Sequence, residues 1–182
     1  MTQHDSWPGE KPPPAGHAPG ALDVPDGIDL LEGEPRDLRH TVGIVVARYN
    51  GDVTNRLLAS ALAELERSGV ARNEITVVAV PGAFELPLAA MELAKTRRYA
   101  CIVALGCVIR GETAHFDYVA GEAASGLQTT ALETGVPVAL GVLTVDTLPQ
   151  AIARADKGAE AAQTALQMAN LIQQIRSKDV FQ

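Results

Sequence analysis

The sequence predicts an α/β protein: a three-layer α/β/α sandwich on a four-stranded parallel sheet, preceded by an N-terminal arm. Two observations carry this. Short β-branched runs alternate with longer segments at helical spacing, the pattern of strands joined by crossover helices. The segments between them are short and hold Gly, Pro, Asn and Asp, which break regular structure. With 182 residues, 47% of them hydrophobic, the chain can bury one substantial core.

Residues 1–40 differ from the rest. "WPGEKPPPAGHAPGALDVPDG" is too rich in Pro and Gly to bury much apolar surface and reads as a flexible arm, with a short strand expected at "IDLLEG". The remaining residues, 41–182, are expected to form one folded domain.

That domain opens with "TVGIVVA", uninterrupted enough to be a strand buried on both faces. "DVTNRLLASALAELERSG" places Leu57, Leu58, Ala61, Leu62 and Leu65 on one helical face and stops at Gly69. "EITVVAV" is expected as a second buried strand, and "FELPLAAMELAKTRR" is helical after Pro87, with basic residues in its last turn. "YACIVALGCVI" is the third strand; "HFDYVAGEAASGLQTTALETG" is a helix closed by Gly135; "VPVALGVLTV" is the fourth strand. From Leu148 to Arg176, helical spacing runs through Ile152, Ala155, Ala159, Ala162, Leu166 and Ala169, and one helix is expected, with a break at Asp156 the alternative.

Composition narrows the function. A net charge of −7 without a basic stripe argues against nucleic acid as a partner. No apolar run approaches transmembrane length, and "MTQHDSWPGEKPPPAG" lacks the apolar stretch of a secretory signal, so the expected location is the cytoplasm without a membrane partner. Cys101 and Cys107 share one predicted strand and one parity, which disfavours a disulfide between them and fits a reducing compartment. Two cysteines with one nearby histidine are a poor ligand set, and no metal is expected.

Right-handed crossovers bring the carboxyl ends of all the strands to one edge, where ligands bind in such sheets. The loops there are "RYNGD" (48–52), "PGAFE" (81–85), "RGETAHFD" (110–117) and "TVDT" (144–147). Of the seven aromatic residues, Tyr49, Phe84, Phe116 and Tyr118 fall in or just after these loops, which favours a flat, stacking ligand. His115 is the one histidine inside the predicted domain and lies close to Arg110, Thr113 and Asp117, a setting for proton transfer. Gly111, Glu112 and Thr113 precede a helix, where free N–H groups and a hydroxyl can cradle a phosphate; Thr113 as a simple helix cap is the plainer explanation. Arg48, Arg110 and Arg154 are candidate charge partners. Glu85, at a helix start, suits the helix dipole or the hydroxyls of a polyol.

Taken together, "ARYN", "VPGAFELP", "ALGCVIRGETAHFDYV", "GVPVALGVLTV" and "QAIARA…KGAEAA…ALQMANL" resemble the 6,7-dimethyl-8-ribityllumazine synthases of riboflavin biosynthesis, from about residue 42 to 175. The resemblance implies a flavodoxin-like fold and a transferase. Such an enzyme condenses 5-amino-6-ribitylaminouracil with 3,4-dihydroxy-2-butanone 4-phosphate, without metal or organic cofactor, to the lumazine, phosphate and water. It implies that Tyr49 stacks on the pyrimidine with Asn50 beside it. Ala83, Phe84 and Glu85 would line the pyrimidine and ribityl chain, and Val108 and Ile109 would meet the heterocycle through their backbone. Gly111, Glu112 and Thr113 would hold the phosphate, His115 would move protons, and Arg154 would bind the phosphate with Lys157 nearby. The resemblance also implies a homo-oligomer, a pentamer or multiples up to an icosahedral capsid, with the site between subunits.

Two departures stand out. Leu140 occupies a place where many members put a phenylalanine that reaches in from the neighbouring subunit. Only Ala155 and Asp156 separate Arg154 from Lys157, where the family has a longer glycine-containing loop. A flavin-binding protein on the same fold and a shell or scaffold with weakened catalysis are the alternatives. "RYNGDVTN" makes a poor flavin phosphate loop, and the intact His115 loop argues against loss of catalysis.

Overall fold

The computed structural model describes residues 20–35 and 41–178; most of the expected arm, 1–19 and 36–40, lies outside the described residues. Residues 20–30, taken alone, hold one turn, in which the Ile28 N–H donates to the Pro25 carbonyl at 3.3 Å. The strand expected at "IDLLEG" does not form. Residues 31–35 instead take side-chain partners on the last helix. Glu34 N–H donates to Asn170 Oδ1 at 3.1 Å, and Gln174 Nε2 donates to the Glu32 carbonyl at 2.9 Å. Backbone groups satisfied in this way have no need of a strand ladder.

The four expected strands form. They are β1 (Thr41–Ala47), β2 (Ile75–Val80), β3 (Tyr99–Ile109) and β4 (Val138–Val145). All pair in parallel in the order β2-β1-β3-β4, with Ile44 opposite Val77 on one side and Val103 on the other. The second strand is not buried as expected: β2 lies at the edge of the sheet with Thr76, Val77 and Ala79 exposed. Between them run α1 (Gly51–Arg67), α2 (Leu86–Lys95) and α3 (His115–Thr134), followed by α4 (Leu148–Ile152) and α5 (Lys157–Lys178). Gly69 (φ 94°) follows α1 and Gly135 (φ 67°) ends α3, both in the left-handed region that glycine enters without a Cβ penalty.

Strand alternation divides the core in two. Val42, Ile44, Val103 and Leu105 meet Leu57, Leu65 and Leu166 of α1 and α5. On the other face, Val45, Ile102 and Ala104 meet Leu86, Ala90 and Leu127 of α2 and α3. The largest fully buried side chains are aliphatic, each contributing about 1.5–3 kcal/mol on removal from water. This is a flavodoxin-like sandwich, and its helices leave the carboxyl edge of the sheet open.

The single helix expected from Leu148 to Arg176 is two helices. Between them, Arg154 N–H bonds to Ala151 O (3.1 Å), Ala155 N–H to Ile152 O (3.2 Å) and Lys157 N–H to Arg154 O (3.0 Å), three-residue closures that wind the chain tighter than an α-helix. A straight helix over that span would be roughly 40 Å long, well beyond a strand of eight residues at about 3.3 Å each. The chain has to cross the sheet edge after β4 and then return along α1. The apolar spacing continues through the break, but its residues do not share one face: Ile152 is exposed and Ala155 is buried.

Among the described residues no helix is long and apolar enough to cross a membrane. Cys101 and Cys107 are both buried, unbridged, and on the same face of β3. Burial pushes the Cys101 thiol up to about 12 and raises that of Cys107, so neither supplies much thiolate near neutrality. Iodoacetamide at pH 7.5 is therefore expected to leave both unlabelled in the native protein and to label both in urea; rapid native labelling of Cys101, read by mass spectrometry, would contradict this packing.

Candidate active site

The open edge is built first by backbone. Arg48 N–H donates to Val80 O at 2.9 Å and Tyr49 N–H to Pro81 O at 3.1 Å, so the loop after β1 is pinned to the loop after β2. Asn50 then turns into the left-handed region (φ 58°, ψ 45°) as the capping residue just before α1. Its Nδ2 donates to the Cys107 carbonyl of β3 at 2.8 Å. β1 leads outward to β2 on one side, while its other neighbour, β3, leads on to β4. Asn50 therefore stitches the crevice where the strand order changes direction, the usual place for a ligand in an open parallel sheet.

Tyr49 rests on Gly82: a Cβ at Gly82 would stand 2.8 Å from Tyr49 Cδ2. The ring nevertheless stays 71% exposed, a platform supported from beneath and open above. The next turn closes on itself, with Gly82 N–H donating to Glu85 Oε2 at 2.9 Å. Ala83 is buried inside it and Phe84 points outward, 57% exposed. Glu85 is thus at the helix start, as expected, with one carboxylate oxygen on the backbone.

At the end of β3, Val108 and Ile109 are half-buried and Arg110 to His115 are exposed. His115 is the first residue of α3; its N–H lies 3.4 Å from Thr113 Oγ1, and Ala114 is the capping residue without a side-chain bond. Among the described residues the N–H groups of Gly111, Glu112, Thr113 and Ala114 have no protein acceptor. Four such donors before a helix N-terminus suit an oxyanion.

Arg110, one of the three candidate charge partners, is paired with two carboxylates of this chain. Its Nε donates to Asp146 Oδ1 and its Nη1 to Asp117 Oδ1, each at 3.1 Å, and the guanidinium lies 4.1 Å from the Phe116 ring centroid. The hydrogen bond it donates to Asp146, then the bond to and charge of Asp117, hold its pKa above the ordinary arginine value. Arg110 thereby ties the start of α3 to the loop after β4. Sequence reasoning flagged that loop but missed Asp146; an acid at the carboxyl end of the neighbouring strand was the available signal.

Two other candidates stand differently. Leu140 faces Ala104 in mid-strand, 56% exposed, five residues and roughly 16 Å short of the end of β4. One chain does not bring it to the edge loops. Arg154 and Lys157 flank the α4–α5 turn. Arg154 Nη1 donates to the Gln150 carbonyl at 3.1 Å, and Lys157 Nζ pairs with Glu160 at 2.5 Å. The chain thus gathers Tyr49, Asn50, Ala83 to Glu85, Val108, Ile109, Gly111 to Thr113 and His115 at one edge, with Arg154 turned back onto α4.

The stitch at Asn50 is separable into backbone and side chain. Asn50→Gly keeps the left-handed turn and loses the bond to Cys107, and should cost about 1 kcal/mol in urea denaturation. Asn50→Ala adds strain of about 1 kcal/mol or more. Equal stability of the two variants would show that the turn is unstrained.

The sequence model of the 6,7-dimethyl-8-ribityllumazine synthase family matches residues 39–173. Proteins named 6,7-dimethyl-8-ribityllumazine synthase from Yersinia pestis (strain Pestoides F) and Yersinia pseudotuberculosis serotype O:1b (strain IP 31758) are each 51% identical over 155 residues, covering 82% of this chain and 99% of theirs. On this match, which spans the strands, the edge loops and most of α5, the chain belongs to the 6,7-dimethyl-8-ribityllumazine synthase family.

Proposed function

We propose that the chain is a lumazine synthase, a transferase that condenses 5-amino-6-ribitylaminouracil with 3,4-dihydroxy-2-butanone 4-phosphate to 6,7-dimethyl-8-ribityllumazine, phosphate and water. The observation that carries this is the combination at one edge of an open aromatic platform, Tyr49 on Gly82, with free N–H donors at Gly111 to Ala114 beside His115. The first suits a flat heterocycle and the second a phosphate, so one crevice can hold both reactants. Holding two reactants in contact supplies much of the acceleration such a condensation needs.

The roles follow from chemistry. Tyr49 stacks on the pyrimidine, with Phe84 and the backbone of Val108 and Ile109 around it. Asn50 keeps the platform in place, and Glu85 offers its second carboxylate oxygen to ribityl hydroxyls. Gly111, Glu112 and Thr113 receive the phosphate, with Arg154 as its counter-charge and Lys157 nearby. His115 takes and returns protons during imine formation, phosphate loss, ring closure and dehydration. No cofactor has a part in this scheme.

Oligomerisation belongs to the same proposal. Leu140 is exposed and lies far from its own chain's edge loops, which suits a lid offered to a neighbouring subunit. A head-to-tail contact of that kind closes in a ring, such as a pentamer; decamers and capsids are multiples of it. The first 40 residues are proposed as an arm outside the catalytic domain.

The test is an assay with both substrates, following lumazine absorbance and released phosphate. Wild type should form both products in equal amounts. His115→Ala should keep its thermal midpoint and lose roughly ten- to a hundredfold in turnover or more. No lumazine from wild type, or full turnover by the variant at saturating substrate, would refute the corresponding part of the proposal. Separately, light scattering on a sizing column should give a pentamer or a multiple, and a fully active monomer would sink the shared-site reading.

A further inference from the structure

We infer that Ser60 and Gly158 are positioning residues for the phosphate end of the site, acting through Arg154. This rests on the reading of Arg154 as the phosphate's counter-charge.

The inference starts from the shortness of the α4–α5 joint. Between Ile152 and Lys157 the chain has only Ala153, Arg154, Ala155 and Asp156, and the N–H groups of Arg154, Ala155 and Lys157 make three-residue closures. Such a joint has no slack, so Arg154 goes where its neighbours are held. Ala151 is fully buried and Ala155 is 8% exposed, while Arg154 between them is exposed. Burial on both sides fixes the direction in which Arg154 leaves the backbone.

The hold on the joint comes from α1. Ser60 Oγ stands 3.0 Å from the Leu57 carbonyl of its own helix and 3.2 Å from the Ala155 carbonyl, so its single proton is shared across the contact. One turn later in the joint, Gly158 lies directly on α1. A Cβ there would stand 2.0 Å from Leu57 O and 2.5 Å from Ser60 Oγ. Contacts under 3.0 Å are not tolerated, so any side chain at residue 158 must move α5 off α1 by about 1 Å. The absence of a side chain at Gly158 is what lets Ser60 reach Ala155.

The same helix carries Asn50 at its start, and Asn50 is fixed to β3. One rigid element therefore sets both ends of the crevice. Its first residues place the aromatic platform, and its third turn places the arginine. A displacement of about 1 Å is enough to cost a large factor in a positioned reaction, and this joint passes a shift of α5 straight to Arg154.

The test is steady-state kinetics of the full chain in its native assembly, varying each substrate at saturation of the other. Ser60→Ala removes one hydroxyl from a helix that accepts alanine well. It should raise KM for the butanone phosphate about three- to tenfold, the scale of one net hydrogen bond, and leave KM for the pyrimidine within about twofold. Ser60→Thr, which keeps the hydroxyl, should restore the value. In an Arg154→Ala background Ser60→Ala should add less than about twofold, because the group it positions is gone. Gly158→Ala should show a larger effect of the same kind, and Ser60→Ala decides the matter if that variant does not fold. An unchanged KM in Ser60→Ala, or an equal effect with and without Arg154, overturns the positioning role while leaving Arg154 in place. An Arg154→Ala variant with unchanged KM for the butanone phosphate overturns the phosphate reading itself, and the positioning role falls with it.

Discussion

The parallel pairing of β1 with β3 is the constraint on which the rest depends. Parallel strands cannot be joined by a tight turn, so each connection has to cross a face of the sheet in a helix and return. With β1 and β3 side by side, the connection from β1 goes outward to β2 and the sheet continues the other way to β4. A crevice is left at the carboxyl end between them. Asn50 closes its floor with one bond to the Cys107 carbonyl, and the loops on either side take their positions from that bond and from the β1–β2 ladder that continues to Tyr49.

The division of side chains follows from the same geometry. Strands covered on both faces need side chains that pack against helices at close range, and Val, Ile, Leu and Ala meet that need on both faces. Rings are larger than the layers require. Among the described residues all but Tyr99, half-buried against the core at the start of β3, remain at the edge, where Tyr49 and Phe84 stand exposed over a backbone turn shaped by Pro81 and Gly82. Exposed rings cost burial that the fold could otherwise gain, on the order of 1.5–3 kcal/mol each. A stacking ligand recovers it.

Charge is arranged so that one arginine is used for structure and another is kept in reserve. Arg110 is held by Asp117 and Asp146 and by the face of Phe116, which fixes the start of α3 and therefore His115. Among the described residues the Arg154 guanidinium donates to the Gln150 carbonyl of α4; in the proposed function a doubly charged phosphate would outcompete that neutral acceptor, since charge-assisted bonds are roughly twice as strong as neutral ones. In the proposed function the N–H groups of Gly111 to Ala114, without a protein acceptor among the described residues, would provide the rest of the anion's environment.

The sequence by itself determined the strands, the alternation, the helix stops at Gly69 and Gly135, and the loops that meet at the edge. These depend on local pattern: β-branched runs, helical spacing, and glycine where φ must be positive. Most of the candidate site was legible for the same reason, because strand ends are visible in the pattern and crossover handedness puts them together. Tertiary structure alone decided three things. Arg110 serves the fold, since Asp146 is remote in sequence and meets it only when β3 and β4 pair. Residues 31–35 form no strand, because their partners are side chains on a helix more than a hundred residues away. The helix expected from Leu148 to Arg176 breaks, although its apolar spacing reads straight through. Periodicity records which residues are apolar but not which surface each one meets, and Ile152 and Ala155 meet different ones because the chain must round the sheet edge before α5 can lie on α1.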